Sequence, residues 1–193
     1  MLQQQLEFLK IADELKNVER QTRLVSNPRH ENSAEHSWHI ALMALTLHEH
    51  AADDNVNLCR VIKMLLVHDL VEIYAGDVPA FAETNAAEKE AREQQAADKL
   101  FATLPSAQAA EYRALWEEFE SMKTSDALYA AAIDRFQPFF LNHLTGGYSW
   151  KKFNVTAAQV YKRMTPAKTA VPKLWAYIET VVQDAVEKGY VKP

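Results

Sequence analysis

The feature that most constrains this chain is an apolar helical stretch, Val61, Ile62, Leu65 and Leu66, that closes on two adjacent metal-ligand side chains, His68 and Asp69. Ionisable groups in an apolar interior need partners. They are available elsewhere in the chain: His36 follows Glu35 in another helical stretch, and Asp134 ends the Ala-rich run Ala130-Ala131-Ala132-Ile133. Two neutral imidazoles and two carboxylates make a mixed nitrogen and oxygen set suited to a divalent ion such as Mn, Co, Fe or Zn. Three separate helices can present them to one point. The alternative for Asp134 is an ion pair with Arg135 or with another helix. The remaining imidazoles, His39, His48, His50 and His143, read as packed or surface residues, and His30 as a loop residue before the site.

A length of 193 residues fits one domain with a substantial core, so residues 1–193 are expected to form a single unit. Only 4 Gly, with abundant Ala, Leu, Glu and Lys and almost no strict alternation, points to an all-α class. A net charge of −5 leaves no electrostatic footprint for duplex nucleic acid, although a small anion needs only a local basic pocket. Cys59 is the sole cysteine, so no internal disulfide can form, and beside Leu58 and Val61 it reads as helix packing. No basic-then-apolar leader is present, and no stretch approaches the ~20 apolar residues needed to span a bilayer. The expectation is a cytoplasmic protein without a membrane partner.

Along the chain, Leu2, Leu6, Leu9 and Ile11 predict a first helix that ends before Arg20. Gln21 to Asn32 reads as a loop, with Ser33 as the N-cap of a second, central helix reaching about Ala51. A third helix is expected from Leu58 to about Tyr74, before Gly76 and Pro79. Glu88 to Leu100 and Glu111 to Met122 predict two amphipathic helices, the first mostly solvated. A helix from Ser125 through Asp134 is expected to break or kink near Pro138 and stop before Gly146-Gly147. Thr156 to Met164 and Lys173 to Lys188 predict the last two.

The words Glu31-Asn32-Ser33-Ala34-Glu35-His36-Ser37 and His68-Asp69-Leu70-Val71-Glu72-Ile73-Tyr74-Ala75-Gly76-Asp77-Val78-Pro79, with Asp134 downstream, resemble the HD-domain metal phosphohydrolases, in particular their 5'-deoxynucleotidase-like branch. The likeness runs from about Leu6 to Asp134. It implies an HD-type helical bundle with a metal site between three helices, one divalent ion (Mn, Co, Fe, Zn or Mg) held by His36, His68, Asp69 and Asp134, and hydrolysis of nucleoside 5'-monophosphates, deoxynucleosides first. It also implies a homodimer, which the apolar second helix and the cluster Phe136, Phe139 and Phe140 permit.

Glu72 lies four residues after His68 and three after Asp69, on the same helical face. There it can orient or deprotonate the attacking water, and the resemblance makes it the catalytic acid residue. The resemblance assigns Arg20 to the substrate phosphate, whose edge an arginine fork matches, with Arg23 and Arg29 as substitutes. It assigns Asp77 to a sugar hydroxyl. Where the family pattern carries an aromatic residue after the arginine, this chain has Gln21, so the choice between deoxyribose and ribose stays open. Open too are another phosphate ester or anhydride as substrate (a nucleoside triphosphate, a cyclic dinucleotide or a guanosine polyphosphate) and a non-catalytic, metal-stabilised binding module. A di-iron bundle needs paired Glu-x-x-His words, which the chain lacks.

Overall fold

Two apolar clusters organise the helices, and the segment carrying His68 and Asp69 lies where they meet. The computed structural model describes residues 1–78, 80–81 and 85–193; Pro79 of the second sequence word lies outside them. In chain order the elements are α1 (Leu2–Ala12), β1 (Glu19–Arg23), β2 (His30–Asn32), α2 (Ser33–Leu47), α3 (Leu58–Val67), α4 (Glu72–Ala75), α5 (Ala86–Phe101), α6 (Ser106–Ser121), α7 (Ser125–Leu144), α8 (Tyr148–Lys152), α9 (Ala157–Arg163), α10 (Thr165–Ala170) and α11 (Pro172–Glu187). The larger cluster joins Ile40 and Ala44 of α2, Met64 and Leu65 of α3, Ala130 to Ile133 of α7 and Ile178 of α11. The smaller joins Phe8 of α1, Val67, Leu70 and Val71, Leu100 of α5 and Trp116 of α6. Consecutive turns of one helical segment thus feed different cores, which pins it from both sides.

That segment changes character at the site. The α-helix ends at Val67, His68–Val71 form a 3-10 turn, and α4 resumes at Glu72. A 3-10 turn advances about 120° per residue instead of 100°, so His68 and Asp69 diverge more than in the uninterrupted helix the sequence predicts. Gly76 then closes α4 at φ 76°, ψ 150°, a conformation essentially reserved for glycine. It redirects the chain toward Asp77.

Among the described residues the all-α expectation holds apart from one two-stranded ribbon. Gln21 to Asn32 is not wholly a loop: β1 and β2 pair antiparallel, with Glu19 opposite Asn32 and Arg23 opposite His30. Its strands are polar in sequence, so no apolar alternation announces them. The N-cap of α2 is Asn32 rather than Ser33. Asn32 accepts a hydrogen bond from the Glu35 N–H at 2.9 Å while the Glu35 carboxylate accepts from the Asn32 N–H at 3.0 Å, a reciprocal capping box. Ser33 is buried and directed inward.

Helix α7 runs through Pro138 without a break. A proline there removes the N–H that would bond the Asp134 carbonyl. Helices α8 and α10 were not anticipated, being short and bounded by turns. Cys59 is exposed rather than packed. On α2, Ile40 and Met43 are buried, but Leu42 and Leu45 face out, so the helix is central on one face alone. Among the described residues no helix is long and apolar enough to cross a membrane.

Because the capping box fixes the turn that carries His36, Asn32→Ala is expected to lower unfolding free energy by about 1 kcal/mol. Urea titration followed by circular dichroism measures it.

Candidate metal centre

His36 comes from the first turns of α2, His68 and Asp69 from the 3-10 turn after α3, and Asp134 from the middle of α7. Side chains 98 residues apart meet, with His36 Nε2 lying 2.9 Å from Asp134 Oδ1. Around them, His36 Nε2 is 3.9 Å from Asp69 Oδ2, His68 Nε2 is 2.9 Å from Asp69 Oδ1, and the same nitrogen is 3.5 Å from Asp134 Oδ1. Donors that share a cation at about 2.1 Å stand roughly 3 to 4 Å from one another. Among the described residues, ligand atoms of His36, His68 and Asp69 all lie within 4.8 Å of one another. Asp134 joins this group through its contacts to both imidazoles.

The imidazoles are oriented from behind. His36 Nδ1 contacts Gln137 Oε1 at 3.0 Å, and His68 Nδ1 contacts the Leu65 carbonyl at 2.9 Å. A carbonyl acceptor requires Nδ1 to carry the proton, which directs the Nε2 lone pairs at the carboxylates. The Phe119 ring packs on His68 with centroids 4.8 Å apart. His68 Nε2 is buried yet, among the described residues, has no hydrogen bond, despite its closeness to Asp69. A buried nitrogen without a bond, facing two carboxylates, fits a divalent cation. Burial opposes charge on His68, but Asp69 and Asp134 raise its pKa well above the ordinary range. A bound cation would serve those carboxylates and leave the imidazole neutral. Asp134 is held well below the usual carboxylate range: burial works against its charge, and the two histidines outweigh it.

Arg20, on β1, is pulled into this cluster. Its Nη1 donates to Asp69 Oδ2 at 2.7 Å and lies 3.9 Å from Glu72 Oε2, while its Nε is 3.8 Å from Glu31 Oε1. Burial works against its charge, but Asp69 and Glu72 carry its pKa above the ordinary guanidinium value. The two substitutes are engaged elsewhere: Arg29 pairs with Glu35, and Arg23 stacks on Tyr148. Glu72 accepts a 2.8 Å hydrogen bond from Ser33 Oγ. Its carboxyl is pushed up to about 8, first by burial and then by the neighbouring Asp69 charge. Asp77 is half-buried and raised, chiefly by burial.

His68, Asp69, Asp134, Arg20, Glu72, Asp77 and Gln21 all border one cavity of about 380 Å³, within the range of small-molecule sites.

Gln137 was missed from sequence. Its Nε2 donates to Glu31 Oε2 at 2.7 Å and lies 3.3 Å from His39 Nδ1, so this fully buried amide links β2 and α2 to the centre. The signal available was its position three residues after Asp134, on the same face of α7. Asp134 does not pair with Arg135, whose guanidinium donates to the Arg163 carbonyl and to Met122 Sδ. Gln137→Leu removes the acceptor that fixes His36. It is expected to weaken Mn binding by about 10- to 100-fold, measured by isothermal titration calorimetry of the metal-stripped chain.

The family model described as HD domain matches residues 12–175. The 5'-deoxynucleotidase HDDC2 of Homo sapiens is 30% identical over 131 residues, covering 67% of this chain and 62% of the relative; that of Danio rerio is 31% identical over 139 residues, covering 72% and 68%. The human match therefore leaves more than a third of that relative's length outside it. Among solved structures, a predicted metal-dependent phosphohydrolase from Magnetospirillum magnetotacticum MS-1 is 47% identical with a TM-score of 0.93, covering 100% of this chain and 96% of that one. A conserved hypothetical protein from Pyrococcus furiosus, 22% identical with a TM-score of 0.59 over 91% of this chain and 98% of that one, shares the fold. With the family match spanning most of its length and the His and Asp donors gathered at one point, this chain belongs to the HD-domain family.

Proposed function

We propose that the chain, read as one HD-type domain, is a metal-dependent phosphomonoesterase that hydrolyses nucleoside 5'-monophosphates, deoxynucleotides among them, to nucleoside and phosphate. The observation that carries this reading is the position of Glu72. It stands one turn beyond Asp69 on the wall of an open cavity that the donor cluster also borders. The relatives named 5'-deoxynucleotidase support the choice of substrate.

His36, His68, Asp69 and Asp134 would hold one divalent ion. Bound there, it supplies positive charge that acidifies water and neutralises the phosphoryl group. Arg20 ties Asp69 to Glu72 and keeps both carboxylates in register. Ser33 engages Glu72 Oε2, so Oε1 is the oxygen left to act on water. With the Asp69 charge compensated, Glu72 accepts a proton as water attacks phosphorus, and the same proton can pass to the leaving 5'-oxygen. Asp77 accepts from a sugar hydroxyl.

Gln21 borders the same cavity, and its Oε1 accepts from Lys152 Nζ at 2.6 Å. Held in that way, its amide N–H groups suit a ribose 2'-hydroxyl, which favours turnover of ribonucleotides as well. Pairing of two copies would draw on Trp38, Leu42 and Leu45, the exposed apolar side chains of α2. Sedimentation equilibrium tests it.

Glu72→Gln is expected to lower kcat by about 10²- to 10⁴-fold, with Mn content and nucleotide affinity unchanged. A binding module would show no such split. A panel of deoxy- and ribonucleoside monophosphates, triphosphates and cyclic dinucleotides, read by phosphate release from the Mn-loaded chain, tests the substrate. Turnover of another class with none of the monophosphates would overturn it.

A further inference from the structure

The residue that sequence reasoning assigned to the phosphate, Arg20, already has carboxylates around it. Asp69, Glu72 and Glu31 all lie within 4.0 Å of its nitrogens. A phosphate monoester is itself anionic and must enter a cavity bordered by Asp69, Glu72, Asp77 and Asp134. Those carboxylates, with Glu31 behind them, outweigh Arg20 and a divalent ion together, so the cavity needs more positive charge facing the substrate.

Arg163 supplies it. It is the last residue of α9, an element that contributes none of the donors, and it borders the same cavity as Asp134, Asp77 and Arg20. Arg135, the neighbour of Asp134 on α7, also borders that cavity, and its Nη1 donates to the Arg163 main-chain carbonyl at 3.1 Å. This bond fastens the end of α9 to α7, one residue from a candidate metal ligand. Among the described residues neither arginine forms an ion pair. Burial lowers both guanidinium pKa values, in the opposite direction from Arg20. An arginine remains charged under such conditions, so two cations stand beside the cavity with no described carboxylate paired to them, although Asp134 acts on both through space, Asp77 on Arg163 and Glu120 on Arg135.

We propose that Arg163 takes the nonbridging oxygens of the substrate phosphate, and that Arg135 is the positioning residue that holds it at the cavity. The proposal rests on the phosphomonoesterase reading and adds the contact that recognises the phosphate. Its fork can meet two phosphate oxygens at once. Arg20, held by Asp69, keeps the carboxylates in order.

The test is calorimetric titration of the Mn-loaded full chain with inorganic phosphate, the product common to every substrate of this class. Arg163→Gln is expected to weaken phosphate binding by about 10- to 100-fold, and Arg163→Lys by less, with Mn content unchanged. Equal phosphate affinity in Arg163→Gln, or no phosphate binding by the unsubstituted chain, overturns the proposal. A second measurement needs no variant. Phosphate should slow phenylglyoxal labelling of Arg163, read by peptide mass spectrometry, while leaving the exposed Arg92 unaffected; labelling of Arg163 at an unchanged rate also overturns it. Neither measurement depends on turnover, so phosphate held by Arg163 in a chain that hydrolyses no nucleoside monophosphate would strike the substrate reading alone.

Discussion

Burial of His36, Asp69, Asp134 and Glu31 in one place is the constraint to which the rest of the structure answers. Each carboxylate would be costly alone in such surroundings, and each is met by a group from another element. Asp134 faces two imidazoles, Asp69 has Arg20 and His68, and Glu31 has Gln137. Gln137 is the pivot, since its oxygen serves His36 while its nitrogen serves Glu31. An amide carries the acceptor and the donor on separate atoms of one uncharged side chain, which lets it do both at once. The arrangement therefore depends on four chain segments being placed together: the ribbon, α2, the 3-10 turn after α3, and α7.

The apolar packing explains how that placement is kept. Val67, Leu70 and Val71 face one core and Met64 and Leu65 the other. The His68–Asp69 step therefore sits on a seam, with the tighter 3-10 turn separating the two directions. From there Glu72 reaches Ser33 at the start of α2, and Gly76 turns the chain toward Asp77 with nothing among the described residues within 4 Å of where a Cβ would stand. The glycine is thus required by backbone conformation and not by crowding.

Much of this was legible in the sequence where a local pattern carries the information. Apolar periodicity located the helices, and the His68-Asp69 and Glu31 to Ser37 words located three of the four candidate donors, because ionisable residues in packed helices are conspicuous. Asp134 stood out for the same reason. What was not legible depended on tertiary partners. The ribbon strands are polar and show no alternation, so only pairing reveals them. Asn32 and Ser33 are adjacent capping types, and the choice between them turns on Glu72 drawing Ser33 inward. Pro138 reads as a breaker, yet the packing of Phe136 and Phe139 carries α7 past it. Arg163 at a helix end looks like an ordinary partner for the dipole until the cavity is seen beside it.

The 98-residue separation between His36 and Asp134 carries a further meaning for the molecule's stability. An ion gripped by both would close a long loop of chain, as a covalent bridge does, in a protein whose single cysteine allows none internally. Unlike a disulfide, such a clasp is reversible and set by mass action. With an ion held there, the resistance of this fold to heat would be tied to the free metal concentration around it, and a chelator would act on the architecture as well as on the chemistry.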